Sequence, residues 1–265
     1  MSLAALVTVY HRISPAELSA CLNSLTAQTS PADDLVVVAD GPLPHALESI
    51  IGDSGARVVR LDQNLGAGPA AAAGLATIST EFVARLDADD IAHPERFERQ
   101  LAYLAAHPGV DVVGTAMAEF EESTSNIKGI RTLPANHEEI ARYAKLNSPV
   151  NHPSVMMRRA AVERAGGYQD VHHMEDYDLF ARLLAQGSRF HNLTEPLTYF
   201  RTSATQTKRR TGKGMFAAER QMQRNLVRYG LVSRPRSWVN LGLRTGYRLL
   251  PTRTLDRVYR RLFHR

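Results

Sequence analysis

Cysteine is nearly missing from this 265-residue sequence and long apolar runs are absent, and each shortage excludes a class of protein. The single cysteine, Cys21, cannot form an internal disulfide, which fits a reducing compartment, and no Cys/His spacing indicates a structural zinc site. No run of about 18 apolar residues occurs, so no membrane-spanning helix is expected. The apolar stretch at residues 3–9 also lacks the basic start and cleavage pattern of a signal peptide. We therefore expect a cytoplasmic protein.

Acidic residues are scarce at one end of the chain. Residues 208–265 contain 16 lysines and arginines but only two acids, whereas residues 1–207 contain 16 basic and 25 acidic residues. The basic segment thus has a formal charge of +14 and the rest of the chain −9. A segment this basic predicts an anionic partner. The overall composition, 44% hydrophobic and 22% charged, is that of a folded domain with one large core.

Strand and helix signals alternate through the first half of the chain. Short β-branched runs at residues 4–10, 34–40, 56–61 and 81–87 are each followed by a helical pattern. In the first helix, Ser14 is the predicted N-cap, Pro15 the first helical residue and Glu17 the partner in a capping box. Four such units predict a mainly parallel, buried central sheet with helices on both faces.

The alternation weakens after a further predicted strand at residues 110–120. Asn136 is a predicted N-cap, residues 152–159 have the pattern of a buried strand, and a helix beginning near residue 175 is expected to stop at Gly187. No repeat or low-complexity linker separates these segments from the first half. The second half, to about residue 207, is therefore expected to complete the same domain.

Polar residues follow three of the predicted strands: Tyr10 and His11 the first, Asp40 and Gly41 the second, and Asp87, Asp89 and Asp90 the fourth. In parallel α/β sheets, ligands bind beyond the carboxyl ends of the strands. These residues are therefore expected to line one crevice.

Three carboxylates crowd into four positions at residues 87–90. Asp87 and Asp89 point to the same side of an extended segment, and hard cations such as Mg²⁺ or Mn²⁺ prefer carboxylate oxygens. Because unpaired like charges are costly beside a buried strand, a metal diphosphate is one explanation of this crowding. The alternative is a solvated turn in which Asp90 caps the next helix.

A second acidic group, Glu175, Asp176 and Asp178, comes directly after His172 and His173. Acids in the first turn stabilise a helix through its dipole and free amides, which is a purely structural explanation. Alternatively, one of these carboxylates accepts the proton of an attacking hydroxyl. Two adjacent histidines lack the spacing that would aim both at one metal, so we interpret them as surface residues.

Residues 66–71 also satisfy a relaxed dinucleotide-binding fingerprint through Gly66, Gly68 and Ala71, with Asp87 about 20 residues further on. The match is weakened because four residues separate the strand from the first glycine, and because it falls in the third strand–helix unit. A ribose contact also needs one acid where this sequence has three. A nicotinamide or flavin enzyme is thus a minor alternative.

Taken in order, "VTVYHR", "VVVADGP", "NLGAGPAAAAGL", "RLDADDIAHPERFERQ", "HPSVMMRRAAVERAGGY" and "EDYDLFARL" resemble family 2 of the inverting nucleotide-sugar glycosyltransferases. The resemblance covers roughly residues 3–205. It implies the Rossmann-like GT-A fold: an α/β catalytic domain at residues 1–207, with a nucleotide-sugar half to about residue 120 and an acceptor half at 121–207. Residues 208–265 would form a basic, amphipathic helical C-terminal extension.

The resemblance also implies a role for each matching residue. Asp89 matches the second acid of the family's D-x-D motif, which binds a divalent metal, Mn²⁺ or Mg²⁺. Asp176 matches the general base, and Glu175 a neighbour that contacts the acceptor or donor sugar. The implied donor-binding residues are Val9, Tyr10, Asp40, Gly41, Asn64, Asp87 and Ala88, and the implied acceptor-side residues are His152 and Glu175.

Three departures from the family pattern bear on substrate and metal. Ala71 lies where many relatives have an arginine, which removes a basic contact to the nucleotide. Ser203 stands where relatives often have a histidine, which removes a third protein ligand to the metal. The Q-x-x-R-W motif of processive synthases is absent, which favours transfer of a single sugar.

The end of the chain has the pattern of a basic amphipathic helix. Its apolar positions are Leu255, Val258, Tyr259, Leu262 and Phe263, and arginines fall on the opposite face. Such a helix suits an anionic membrane interface. Alternatively it docks on the catalytic domain, over Trp238 and Leu241. Nucleic acid is not the expected partner, because no recognised nucleic-acid module accompanies the charge.

The sequence therefore predicts a metal-dependent inverting glycosyltransferase that takes a nucleotide-diphosphate sugar, with a UDP-sugar as the expected donor. It would add one sugar to a glycan or lipid-linked acceptor in cell-surface polysaccharide or glycolipid synthesis, at the inner face of the membrane. Two alternatives stay open: a nucleotidyltransferase acting on sugar phosphates, and a non-catalytic membrane-peripheral binding module with a degenerate donor pocket.

Overall fold

The computed structural model describes residues 1–202 and 214–248 of the chain. Nine strands lie in residues 1–202: β1 (Leu3–Val9), β2 (Asp34–Ala39), β3 (Arg57–Arg60), β4 (Phe82–Asp87), β5 (Ile91–Ala92), β6 (Val112–Phe120), β7 (Ile127–Arg131), β8 (Met156–Arg158) and β9 (Phe190–Arg201). The α-helices of the described residues are α1 (Pro15–Thr26), α2 (His45–Asp53), α3 (Ala67–Leu75), α4 (Arg96–Ala106), α5 (His137–Tyr143), α6 (Arg159–Arg164), α7 (Glu175–Ala185), α8 (Met215–Arg228) and α9 (Arg234–Arg248). A 3₁₀ turn spans His152–Ser154.

All nine strands belong to one sheet with the order β3-β2-β1-β4-β8-β6-β9-β5, and β7 pairs with β6. The first four strands in this order are parallel, as predicted. Beyond β4 the sheet is mixed, because β8 runs antiparallel to both β4 and β6, while β6 and β9 are parallel to each other. The predicted α/β class is confirmed, and its parallel part lies within the first 87 residues.

Helices cover both faces of this sheet, as the continuous apolar strands require. On one face, Leu6 of β1 and Val38 of β2 pack with Ala70 and Ala71 of α3. On the other face, alternate strand residues such as Val7 pack against α1, whose buried side chains are Leu18, Cys21, Leu22 and Leu25. The strands are thereby held rigidly, and their carboxyl ends form one edge.

The local signals at helix ends were good predictors. The backbone N–H of Ser14 donates to Glu17 Oε2 (3.3 Å) in the predicted capping box, and Asn136 caps α5 by accepting from the Glu139 amide. Gly187 follows the end of α7 with φ +85°, a backbone conformation that glycine adopts without steric cost. The predicted helix limits therefore hold to within a few residues.

Strand β9 was not predicted, although it is the longest strand of the described residues, with 12 residues. Its sequence contains Pro196, which argues against a strand because proline has no N–H to donate to a neighbouring strand. In the sheet, Pro196 pairs with Ala116 at a point where the register between β6 and β9 shifts. The irregularity accommodates the proline, and only the tertiary pairing shows it. Strands β5 and β7 and helix α6 were also missed.

Helices α8 and α9 are attached to the sheet domain through α7. The buried carboxylate of Asp178 accepts hydrogen bonds from Arg182 Nε (2.8 Å) within α7, and from Asn225 Nδ2 (2.7 Å) and Tyr229 OH (2.9 Å) of α8. Asp178 is therefore a structural anchor. None of the helices in residues 1–202 and 214–248 is long and apolar enough to cross a bilayer. The apolar pattern predicted at residues 255–263 lies outside the described residues.

We expect Gly74→Ala to destabilise the protein by about 1–3 kcal/mol, because α3 packs too closely on the sheet for a methyl group. A Cβ at Gly74 would lie 2.5 Å from Leu6 Cδ1 and 2.6 Å from Val38 Cγ2. Gly52→Ala is the control, since a Cβ there meets nothing within 4 Å and alanine is the better helix former. Urea unfolding followed by circular dichroism measures both; equal stabilities would contradict this packing.

Candidate active site

The ends of three neighbouring strands form the floor of the site. β1 lies between β2 and β4, with Val9 opposite Ala39 and Thr8 opposite Asp87. The residues that follow, Tyr10, Asp40 and Ala88, therefore leave the sheet side by side. Val9 and Ala88 are buried and Tyr10 is half-buried. These residues therefore lie together at the carboxyl edge of the sheet, and we refer to the space beyond this edge as the crevice.

Asp40 is tied to the loop that leads into α3. Its carboxylate accepts hydrogen bonds from the amides of Leu65 (2.7 Å) and Gly66 (3.0 Å), and Asn64 Nδ2 donates to its carbonyl oxygen (3.3 Å). Gly41 has φ +85°, and a Cβ there would lie 2.7 Å from the Asn64 nitrogen. A carboxylate has about four lone-pair sites, so Asp40 retains acceptor capacity for a ligand while it holds this loop.

The last residue of β4, Asp87, pairs with a buried arginine on the same strand. Arg85 Nη2 lies 2.9 Å from Asp87 Oδ1 and donates to Thr8 Oγ1 of β1 (2.8 Å). Arg85 also donates to the carbonyl of Leu86, and its side chain is only 2% exposed. A charge in this apolar strand is tolerated because Asp87 neutralises it and these oxygens accept from its Nη atoms, although Nε has no hydrogen-bond partner within the described parts of the chain.

Asp90 is buried and joins the acidic segment to β9. Its Oδ1 accepts from the Arg201 amide (2.8 Å), and Oδ2 has no hydrogen-bond partner within the described parts of the chain. Arg201 Nε donates to the Asp89 carbonyl (3.0 Å). Burial, and then the charges of Asp89 and Asp87, raise the pKa of Asp90 well above its ordinary value. The predicted alternative for Asp90 as a helix cap is wrong, because α4 begins only at Arg96.

The three aspartates form a donor set that fits a hard divalent cation. One carboxylate oxygen from each of Asp87, Asp89 and Asp90 lies within 4.8 Å of the others. Across residues 1–202 and 214–248 this is the only group of three acidic, histidine or cysteine side chains that close together. Asp87 and Asp89 are half-buried, so their oxygens are accessible from the crevice. Oxygen-only ligands of this kind suit Mg²⁺ or Mn²⁺.

The first turn of α7 brings Glu175 and Asp176 of the second acidic group toward the same edge, whereas Asp178 is buried. Burial raises the pKa of Glu175 to about 7, and the negative charges of Asp176 and, across the site, Asp87 add to this shift. Asp176 Oδ2 accepts a hydrogen bond from Ser148 Oγ (3.2 Å). A carboxylate that is half-exposed and lightly bonded in this way is suited to accept a proton.

Gly68 permits the close approach of α3 and α7. A Cβ at this position would lie 3.0 Å from the Gln169 carbonyl oxygen and 3.1 Å from Glu175 Cβ. The start of α3 is thus covered by the segment before α7, whereas a dinucleotide fingerprint needs this glycine for the approach of a pyrophosphate. The structure therefore gives no support to the nicotinamide or flavin alternative.

His152 also faces this region. Its Nε2 lies 2.8 Å from Tyr168 OH. Burial and the nearby Arg85 lower the pKa of His152, while Asp176 and Asp87 oppose that shift. His152 is therefore close enough to both acidic groups for their charges to act on its pKa. His172 and His173 are exposed, as predicted, with their ring centroids 3.9 Å apart and their planes tilted by 49°.

Helix α9 contacts the loop that carries Ser148. Arg244 Nη1 donates to the Leu146 carbonyl (2.8 Å) and to Asn147 Oδ1 (2.9 Å). The same Asn147 oxygen accepts from the Ser148 amide (3.0 Å). A short series of hydrogen bonds therefore runs from α9 to Asp176.

Three residues of the site were missed in the sequence: Arg85, Ser148 and Arg201. Arg85 had a usable signal, since a lone charge two residues before Asp87 points to the same face of the strand. The contacts of Arg201 depend on β9, which was not predicted, and Ser148 lies in a loop without a motif. Ser203, where the sequence departs from the family pattern, lies outside the described residues.

Comparison with known proteins adds to this geometry. The family model described as "Glycosyl transferase family 2" matches residues 5–166. The amylovoran biosynthesis glycosyltransferase AmsE of Erwinia amylovora is 34% identical over 96% of this chain and 96% of its own. The Escherichia coli UDP-Gal:alpha-D-GlcNAc-diphosphoundecaprenol beta-1,3-galactosyltransferase is 31% identical over 98% of this chain and 96% of its own. The structure of S. aureus TarS 1-349 in complex with UDP superposes with a TM-score of 0.67 at 18% identity, covering 96% of this chain and 73% of TarS 1-349.

The raised pKa of Glu175 predicts a pH-dependent stability. Between its ordinary pKa of 4.5 and about 7, the folded protein keeps the proton that the unfolded chain has lost. Folding stability contributed by Glu175 should therefore be complete below pH 4.5, fall as the pH rises to about 7, and stay constant above it.

Glu175→Gln should remove this loss, so that the variant gains stability relative to the wild type between pH 5 and pH 8. Urea unfolding in EDTA, which keeps added metal from stabilising the carboxylate, measures the difference. Glu122→Gln, at an exposed glutamate, is the control. The same stability difference for Glu175→Gln at both pH values would show that Glu175 titrates normally.

Proposed function

Because the chain belongs to glycosyl transferase family 2, we propose that it transfers a single sugar from a nucleotide-diphosphate sugar to a glycan or lipid-linked acceptor, with inversion. The observation that carries this proposal is the arrangement of two acidic groups in one crevice. Asp87 and Asp89 follow β4, and Glu175 and Asp176 begin α7. Burial, together with the charges of Asp176 and Asp87, raises the pKa of Glu175 to about 7, so the two groups lie within electrostatic reach of each other.

The donor is proposed to lie along the ends of β2, β1 and β4. Val9, Tyr10, Asp40 and Gly41 would surround the nucleoside, with Asn64 on the loop that Asp40 holds. Asp87, oriented by Arg85, would face the ribose and phosphates, and Ala88 would line the floor. Asp89 would hold a Mn²⁺ or Mg²⁺ ion, which when bound supplies Lewis-acid stabilisation of the leaving diphosphate.

Asp176 is proposed as the general base. Inversion needs one displacement, in which the acceptor oxygen attacks the anomeric carbon while a carboxylate accepts its proton, and no covalent intermediate forms. Ser148 would orient Asp176 through its hydrogen bond. Glu175 and His152 would contact the acceptor from either side. Because Glu175 keeps its proton up to about pH 7, it can donate a hydrogen bond to a sugar hydroxyl at neutral pH.

The relatives indicate the class of substrate. The E. coli relative is named for UDP-Gal and a diphosphoundecaprenol-linked acceptor, and AmsE for amylovoran biosynthesis. These names support a UDP-sugar donor and a lipid-linked acceptor in polysaccharide synthesis for this chain. We further propose that it works at the cytosolic face of the membrane, to which the basic residues 208–265 would bring it. Family membership argues against the nucleotidyltransferase alternative.

Binding of UDP tests the donor site. We expect Mn²⁺ to increase the affinity of the wild type for UDP, and Asp89→Ala to lose at least about tenfold of the metal-dependent affinity, since a metal ligand is gone. Isothermal titration calorimetry with UDP, GDP, dTDP and CDP, each with and without Mn²⁺, measures this. Asp62→Ala, at an exposed acid outside the crevice, is the control. If UDP affinity is the same with and without Mn²⁺, and the same in Asp89→Ala as in the wild type, the metal site is refuted.

Asp176→Asn tests the base. Turnover of UDP-sugar with an acceptor analogue should fall by about 10²–10⁴-fold, because the amide cannot accept the proton, while UDP affinity stays unchanged. Asp170→Asn, at an exposed acid before α7, should retain activity. If the wild type binds UDP but neither protein turns over any donor, the non-catalytic binding module is the better explanation.

A further inference from the structure

The outer face of α9 consists entirely of uncharged residues. Its six exposed positions on this face are Pro235, Trp238, Val239, Gly242, Leu243 and Gly246. Trp238 is 68% exposed, Val239 54% and Leu243 58%. At 100° of rotation per residue these six positions fall within about 140° of the helix circumference. Contiguous exposed apolar surface of this kind marks an interaction site more often than a solvent face.

The inner face of the same helix combines the buried Leu241 with polar side chains that make specific contacts. Asn240 Nδ2 donates to the Lys145 carbonyl (2.7 Å), and Arg244 Nε pairs with the buried carboxylate of Glu219 on α8 (2.5 Å). These specific contacts hold the helix in one orientation. The apolar side is therefore turned outward by the fold and is not the consequence of a loosely placed helix.

Exposed arginines lie on the same two helices as this outer face. Residues 214–248 contain seven arginines and one acid, Glu219, which is buried and paired. Arg220 and Arg224, one and two turns after the exposed Phe216 (56%) on α8, are both exposed. The other exposed arginines of the two helices are Arg228, Arg234 and Arg236.

We propose that the outer face of α9 docks on an anionic phospholipid bilayer, with Trp238, Val239 and Leu243 in the interface and the exposed arginines of α8 and α9 among the headgroups. Apolar side chains flanked by basic residues bind such surfaces through buried apolar area together with attraction to anionic lipid. Trp is also favoured at the headgroup level of a membrane. That docking serves a lipid-linked acceptor rests on the proposed function.

Charge distinguishes the bilayer from the two other possible occupants. A second copy docked through the same two helices would bring five exposed arginines from each copy to one interface, and the single acid of residues 214–248, Glu219, is buried. The chain's own residues 249–265 contain five arginines and one acid, so they would add like charge beside the same helices. An anionic bilayer neutralises both segments.

The position of α9 also links the docking surface to the acceptor side of the site. Its inner face contacts Lys145, Leu146 and Asn147, and the next residue, Ser148, donates to Asp176. A bilayer against the outer face therefore lies one helix and one loop away from the proposed base.

Trp238 is the only tryptophan of the chain, so its fluorescence reports on this surface directly. The full-length wild type is mixed with phosphatidylcholine vesicles with and without phosphatidylglycerol. With phosphatidylglycerol, we expect sedimentation with the vesicles, a blue shift of Trp238 emission and quenching by brominated acyl chains. Failure to bind, or binding without a blue shift, would overturn the proposal.

Variants separate the apolar and the charged contributions. Leu243→Ser with Val239→Ser should lower the partition coefficient at least about tenfold. Arg220→Gln with Arg224→Gln should lower it by roughly fivefold per arginine, and only on anionic vesicles. Ile127→Ser, at an exposed apolar residue of β7, is the control. Equal binding by all variants would show that a different part of the chain carries the membrane affinity.

Two further outcomes would assign the face to another occupant. A concentration-dependent blue shift of Trp238 without vesicles, with dimers in sedimentation velocity, would indicate a second copy. A red shift of Trp238 on deletion of residues 249–265 would indicate the chain's own terminal segment. The docking variants should keep UDP affinity and activity on a detergent-soluble acceptor. A variant that loses vesicle binding but keeps UDP affinity and activity is defective in membrane docking only. Absence of UDP binding in the wild type would instead refute the proposed function.

Discussion

The buried guanidinium of Arg85 is the interaction on which the rest of the site depends. It lies in an otherwise apolar strand, pairs with Asp87 and joins β4 to β1 through Thr8. The amide of Arg201 donates to the Asp90 carboxylate, and its guanidinium donates to the Asp89 carbonyl. Together Arg85 and Arg201 supply the positive charge that allows three aspartates to crowd beside the hydrophobic core. The carboxylates are thereby kept close enough for one cation to contact several of them.

The acceptor side is held by the helices at the end of the chain. Asp178 fixes α8 against α7 through Asn225 and Tyr229, and Arg244 of α9 fixes the loop that ends at Ser148. These helices therefore contribute to the geometry of the site, because they position Ser148, whose side chain donates a hydrogen bond to Asp176. The same rigid attachment turns the apolar face of α9 outward, where it is exposed together with the exposed arginines of α8 and α9.

Much of the first half of the chain could be predicted because the information that specifies it is local. The capping box at Ser14, the four strand–helix units and the acidic turn after β4 each involve residues close together in the chain. The second half was harder for physical reasons. β9 carries a proline at a register shift, and α7 bears acids of two kinds. Asp176 lies toward the crevice, whereas Asp178, two residues later, is buried and structural.

The sequence by itself determined the α/β class, the parallel half of the sheet and the residue types at the strand ends, because periodicity and capping act over a few neighbouring residues. Its ordered motifs also indicated the family. Only the tertiary structure decided which acid serves which purpose. Asp90 bonds to β9, and Asp40 holds the loop before α3. Burial raises the pKa of Glu175, with smaller contributions from Asp176 and from Asp87 of a distant strand. Burial and charge at a carboxylate depend on neighbours brought from elsewhere in the chain, and no local pattern specifies them.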